Sequence, residues 1–370
     1  MKLRTLVPIL GAIALTSTPA LAVDVAKGLT IGGWVDTILY VSDTNAEDDD
    51  LSERSENAPG IGFTASASLK VGWQVTDALS AKMNLWFNPG TDSLNMREAY
   101  FTWAFAPELS WTMGKYINHV GWTSAEPTGL YRVNGGIITS LYGAIDVIGT
   151  ALAYAPKDSA FGGSLHIVNG YFQGEDAGNN IGIGNPDRSL TRENTDLGFG
   201  LDLNFNFGEG LVNNINVEGV YDMSGADTVA DEIGGDVAQV GVNAKIKSVK
   251  AFVFGAEAIY RSTGESSPDV NNDLTPKQTD MGAMVLANYA LSTKTPMSIT
   301  GQASYVTNEV DGADDETKTM ELAVALLTNP LSDTNFGLNF ELAYQNEAPA
   351  GGGDDVNGVT FSMEGLVVIP

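Results

Sequence analysis

From Asp196 to Phe207 the chain alternates between two chemistries. Leu197, Phe199, Leu201, Leu203, Phe205 and Phe207 are large and apolar, while Asp196, Gly198, Gly200, Asp202, Asn204 and Asn206 separate them. Successive side chains of a β-strand point to opposite faces, so this segment has one greasy face and one wet face. At about 12 residues it exceeds the usual globular strand and approaches what a tilted strand needs to cross a bilayer. Phe336, Leu338, Phe340, Leu342 and Tyr344 repeat the pattern, interleaved with Asn335, Gly337, Asn339, Glu341 and Gln345.

The same period predicts strands over Leu29–Val41, Gly60–Gln74, Ala78–Asn88, Ser93–Phe105, Glu108–Asn118, Asp146–Ala155, Phe161–Phe172 and Thr195–Phe207. The second half supplies Leu211–Asp222, Asp236–Lys247, Val249–Ser262, Thr279–Leu291, Thr295–Asn308, Thr317–Thr328, Thr334–Asn346 and Asn357–Ile369. Connections after the even-numbered strands are short, as at Thr76-Asp77, Ala106-Pro107 and Ser248. Most of those after odd-numbered strands are longer and rich in Asp, Glu, Asn, Gly and Pro. A soluble sandwich has no reason to sort its loops by parity. The expected fold is therefore all-β: a transmembrane antiparallel β-barrel of about 16 strands, with short periplasmic turns and long extracellular loops. A barrel of that size leaves an aqueous channel.

Aromatic residues follow the same geometry. Phe87, Tyr221, Tyr260, Tyr305 and Tyr344 fall near the loop ends of their strands, and Trp73, Trp103, Phe105 and Phe207 near the turn ends. Two such belts are expected where a barrel meets the membrane interfaces. The chain ends in Val368-Ile369-Pro370 rather than in the aromatic residue that closes many outer-membrane barrels.

Residues 1–22 read as a secretory signal, with Lys2 and Arg4 basic, Leu6 to Leu15 apolar and Ala20-Leu21-Ala22 a small-x-small cleavage site. The mature part, 23–370, is then expected to be the barrel. Its charge is more negative than the formal −27 of the whole chain, because the signal carries bases and no acids. Such a surface repels nucleic acid. The acidic runs Glu47 to Asp50, Asp311 to Glu316 and Asp354-Asp355 fall between predicted strands. With no Cys, disulfides, thiolate metal sites and haem attachment are excluded.

Met96-Arg97-Glu98-Ala99-Tyr100-Phe101-Thr102-Trp103, then Met113-Gly114-Lys115-Tyr116 and Val120-Gly121-Trp122, resemble the porin-2 (OmpL-like) β-barrel group. Glu126-Pro127-Thr128-Gly129-Leu130-Tyr131, Gly32-Gly33-Trp34-Val35-Asp36 and Trp86-Phe87-Asn88 fit the same group, so the specific likeness covers roughly Ile31 to Tyr131. The resemblance implies an outer-membrane pore of a diderm (Gram-negative) bacterium and supplies no catalytic residues.

The wet phase of the strands carries Asp36, Glu98, Asp202, Glu218, Glu257, Glu321, Glu341 and Glu364 against Lys70, Lys82 and Lys245. These are the candidate pore-lining residues. An acidic wall favours cations, and in a wide pore only mildly. The connection from His119 to Ile145 differs from the other long loops. It holds Trp122, Leu130, Tyr131, Ile137, Ile138, Leu141 and Tyr142 and few acids, and apolar groups of that size need a partner surface. Folded into the lumen it would form a constriction with Glu126, Arg132 and Lys115; packed on the rim it would be an extra hairpin or a protomer contact.

Enzyme chemistry finds little support. His119 and His166 are the only histidines, there is no G-x-S-x-G or H-E-x-x-H, and His166 beside Ser164 is the single candidate catalytic pair. The acidic loops hold no complete EF-hand pattern. The expectation is a non-enzymatic outer-membrane porin without cofactor or metal, passing small hydrophilic solutes and cations, embedded in outer-membrane lipid and able to form a homo-oligomer. The alternatives are a structural sheath or adhesin, and a barrel hydrolase.

Overall fold

The computed structural model describes all residues except 1–22, 45–59, 89–92, 124–125, 144–145, 158, 173–196, 209–211, 224–235, 250, 266–275, 292–293, 313–315, 332–333, 352, 354 and 370. The signal-like segment, the acidic run Glu47 to Asp50 and parts of the two later acidic runs lie outside the described residues, as do Thr195, Asp196 and Leu211 of the predicted strands.

A short strand, β1 (Val23–Ala26), precedes sixteen long ones. They are β2 (Leu29–Thr44), β3 (Gly60–Gln74), β4 (Leu79–Asn88), β5 (Ser93–Ala106), β6 (Leu109–Ile117), β7 (Asp146–Tyr154), β8 (Phe161–Val168) and β9 (Gly198–Asn206). β10 (Val212–Asp222), β11 (Val237–Val249), β12 (Phe252–Thr263), β13 (Gln278–Leu291), β14 (Met297–Val310), β15 (Thr317–Thr328), β16 (Phe336–Ala348) and β17 (Val356–Ile369) follow. From β2 onward each strand pairs antiparallel with the next. β17 then pairs with β2, from Gly358 opposite Thr44 to Ile369 opposite Gly33. The sheet closes on itself, so each strand from β2 to β17 has a partner on both sides, and among the described residues this ring of sixteen leaves no open edge to lipid.

The alternation read from the sequence sets the two faces. On β9, Phe199 and Leu201 are exposed, whereas Gly198 and Gly200 are buried. On β13, Met281, Val285 and Tyr289 point outward while Asp280, Met284, Leu286 and Asn288 are buried within. Large apolar groups outside and polar groups inside invert the soluble pattern and form a lipid-facing belt. Trp73, Trp103, Phe105 and Phe207 at the turn side, and Phe87, Tyr221, Tyr260 and Tyr305 at the loop side, are all exposed on that outer surface.

Three departures from the sequence reading have local causes. β1 was not expected. It turns at Gly28 (φ 78°) and pairs with the start of β2, Val23 opposite Ile31 and Ala26 opposite Leu29, occupying the lane where β17 runs out at Gly33. β8 stops at Val168 instead of reaching Phe172. Gly170 (φ 139°) turns the chain inward, and the Asp222 carboxylate accepts the N–H groups of Tyr171 and Phe172 there. Between β4 and β5 the register slips at Asn84/Leu85. Arg97 becomes the extra, unpaired residue of a bulge, and its guanidinium lies 4.5 Å from the Trp86 ring centre.

Candidate functional site

The segment between β6 and β7 enters the barrel and crosses it. Two short stretches of 3-10 helix, Pro127–Gly129 and Ile137–Leu141, are the regular elements among its described residues. Val120, Trp122, Tyr131, Val133, Ile138, Leu141 and Tyr142 are buried. Several of them form one apolar cluster with Val220, Ile259, Met284 and Leu286 of β10, β12 and β13. Burying a large apolar side chain contributes about 1.5–3 kcal/mol, which drives the segment off the water and onto this wall. Gly255 and Gly282 make the seats. A Cβ on Gly255 would collide with the Trp122 ring, and one on Gly282 with the tips of Leu141 and Ile138.

Burial obliges the segment's polar groups to find partners, and the wall carboxylates provide them. The Gly121 N–H donates to both oxygens of Glu218 at 2.9 and 3.0 Å. The Trp122 N–H donates to Glu257 at 2.9 Å, and the Tyr142 hydroxyl donates to the other Glu257 oxygen. Glu341 accepts the N–H groups of Val133 and Asn134 at 2.8 and 3.2 Å. Arg132 binds Glu341 through two nitrogens and Glu321 through a third. On the opposite wall Glu126 reaches Lys70 of β3 and accepts from Asn84 of β4 at 3.0 Å. The segment is thus tied to strands on both sides of the lumen. Burial pushes the Tyr131 hydroxyl up to about 12. Burial and then the nearby Glu257 raise that of Tyr142 well above its usual range, so it stays a donor.

The residues singled out from the sequence fall into place unevenly. Asp36, Glu98, Asp202, Glu218, Glu257, Glu321, Glu341, Glu364, Lys70, Lys82 and Lys245 lie on the inward phase of their strands. A wide lumen would leave them solvated, yet Asp36, Glu98, Glu218, Glu257, Glu341 and Glu364 are each 4 % exposed or less. Asp36 and Glu364 touch one another on neighbouring strands, and Asn339 donates to Glu364. Lys82 pairs with Glu98 at 2.7 Å and keeps a third of its side chain exposed. The three constriction candidates do not gather at one point. Glu126 sits against β3 and β4, and Arg132 against β15 and β16. Lys115, following Gly114 (φ 133°), pairs with Asp146 at 2.9 Å beside Arg97.

Ser164 Oγ does meet His166 Nε2, at 2.7 Å. The other ring nitrogen faces the Tyr116 hydroxyl at 3.2 Å, where a catalytic histidine would be oriented by a carboxylate. Sequence reading missed the apolar inward positions Ile259, Met284 and Leu286. The signal was present: all three stand in the same phase as Glu257, Asp280 and Asn288 and break the polar run.

No family model matches the chain, and no curated protein does. Solved structures do. OprB of Pseudomonas putida superposes with a TM-score of 0.63 at 8% identity, over 92% of this chain and 94% of that one. An anion-selective porin from Comamonas acidovorans gives 0.58 at 11% identity, over 91% and 99%. OmpT, an outer membrane protein of Vibrio cholerae in its trimer form, gives 0.55 at 13% identity, over 92% and 99%. At such low identities the likeness is one of fold, and the chain has the fold of outer-membrane porin barrels.

Proposed function

We propose that this protein is an outer-membrane diffusion porin whose inserted segment, 118–143, forms the constriction. The observation that carries the reading is a segment seated inside a closed sixteen-strand barrel and anchored on opposite walls by Glu218, Glu257, Glu341 and Lys70. A sheath or adhesin has no use for such a device within its lumen. The chain's solutes are small and hydrophilic, and it is not an enzyme. Residues 1–22 are its signal peptide, and it belongs to the porin-2 (OmpL-like) group, on the strength of the stretch from Ile31 to Tyr131. Cations pass somewhat better than anions, because acids outnumber bases on the inward faces and in the connections. A homo-oligomer in the membrane accords with the trimer form of the Vibrio cholerae neighbour.

The test is conductance of the purified protein in a planar lipid bilayer. Open steps of porin size are expected, and deletion of Glu126 to Gly136 raises them while the barrel still folds, since loops tolerate change better than strands. Silence of the folded protein would refute the reading. Unchanged conductance in the folded deletion variant would refute the constriction.

A further inference from the structure

One anchor of the inserted segment is unlike the rest. The imidazoles of His119 and His166 stack with ring centres 3.8 Å apart and planes 11° from parallel. Both ring nitrogens of His119 are buried, with no hydrogen-bond partner among the described residues. His166 is occupied by Ser164 and Tyr116. Tyr171 packs edge-on to His119 with ring centres 5.7 Å apart, and its hydroxyl is also buried and without partner among the described residues. Gly200 on β9 makes room for both rings, since a Cβ there would collide with the Tyr171 hydroxyl and press on His119 Cε1. Two and three residues further on, Gly121 and Trp122 make the carboxylate anchors. His119 therefore holds the point where the segment leaves the wall.

A ring placed this way is a neutral imidazole. An imidazolium has two N–H donors to satisfy, one more than the neutral ring, and among the described residues this site offers His119 no acceptor and a second imidazole face-on. Among the described titratable groups, His166 from β8 and Tyr171 beyond β8 pack on His119, and Tyr116 from β6 bonds His166. Asp202 on β9 and Asp222 on β10 act on Tyr171, and Glu218 on β10 holds Gly121 two residues on. Glu218 is engaged by Gly121, and Asp222 by the Tyr171 and Phe172 amides. Burial first, and His166 second, hold His119 well below the ordinary histidine range.

We propose that the stacked His119–His166 pair is an acid-release latch: a proton on His119 unseats the stretch from His119 to Trp122 and widens the pore. The inference rests on the porin reading above. The released segment binds more protons than the seated one, so protons favour release. The seat is at full strength above the free-imidazole value of about 6.5 and weakens as pH falls below it.

The experiment compares wild type with His119→Phe, which keeps a flat ring and removes the titration, and with His119→Leu, which also removes it, in case the first variant folds poorly. Hydrogen exchange of the stretch Asn118–Trp122, corrected for intrinsic rates, and single-channel conductance are followed from about pH 8 to about pH 4. In wild type both should rise on acidification, exchange by about tenfold or more, and the His119 variants should lose the rise or need at least about one further pH unit. A wild-type barrel indifferent to pH overturns the latch. So does an undiminished acid response in both His119 variants, which would assign it to the wall carboxylates. Acid-dependent exchange that His119→Phe abolishes, in a protein that never conducts, supports the latch and refutes the porin reading.

Discussion

Arg132 and Glu341 form a two-pronged ion pair inside the barrel, Nε to one carboxylate oxygen at 3.0 Å and Nη2 to the other at 2.7 Å. Both residues are buried, and the same carboxylate takes the Val133 N–H. Removing one member of a buried pair costs up to about 3–5 kcal/mol, and although Arg132 would keep Glu321, the Val133 and Asn134 N–H groups would lose their acceptor. Glu341→Ala should therefore release the stretch around Arg132, lower the thermal midpoint of the heat-modifiable barrel and raise conductance. A variant with wild-type midpoint and conductance would show that the pair holds nothing.

The glycine seats predict a different route to the same result. Gly255→Leu places a side chain where the Trp122 ring lies, and overpacking of this kind costs about 1–3 kcal/mol unless the ring moves away. Larger conductance from a folded barrel is expected. Gly301→Leu is the control that leaves the seat untouched, because Gly301 lies on the outward phase of β14 and a Cβ there meets open space. Equal behaviour of the two variants would argue against a seat at Gly255.

On the outer face, Leu201 is exposed on β9 between Gly200 and Asp202, which point inward. Leu201→Arg should destabilise the barrel by about 2–4 kcal/mol if the site lies near the bilayer midplane. Denaturant unfolding in lipid vesicles measures it. Wild-type stability would mean that the assigned lipid face is wrong.

Ion preference has a sign that a reversal potential across a salt gradient reads directly. Wild type should pass cations somewhat better. Lys82→Gln should strengthen that preference, since Lys82 keeps a third of its side chain exposed while its partner Glu98 is buried. Anion preference in wild type would show that Lys70 and Lys82 govern the path.

Strand alternation made the architecture legible because lipid outside and water inside impose opposite chemistries on adjacent residues. β3 and β15 end where the sequence pattern ends. The apolar content of the segment around Trp122 to Tyr142 also foretold burial. Its docking site was harder to see. Glu218, Glu257 and Glu341 read as pore-wall charges because a carboxylate facing water and one accepting a backbone N–H look identical in a sequence. Arg97 escaped notice because a bulge shifts the inward phase by one residue, and pattern reading assumes an unbroken register. β1 was hidden by its position next to the expected cleavage site.

The anchors of the inserted segment also bear on how the chain assembles. Gly121 reaches a partner 97 positions away, Trp122 one 135 away and Arg132 one 209 away. Those partners stand on β10, β12 and β16, all made after the segment itself. Contacts so distant in sequence form slowly, since the intervening chain must be ordered before they repay its lost freedom. A barrel still missing its last strands has neither Glu341 nor the β17–β2 seam. The segment is consequently expected to be among the last parts to settle.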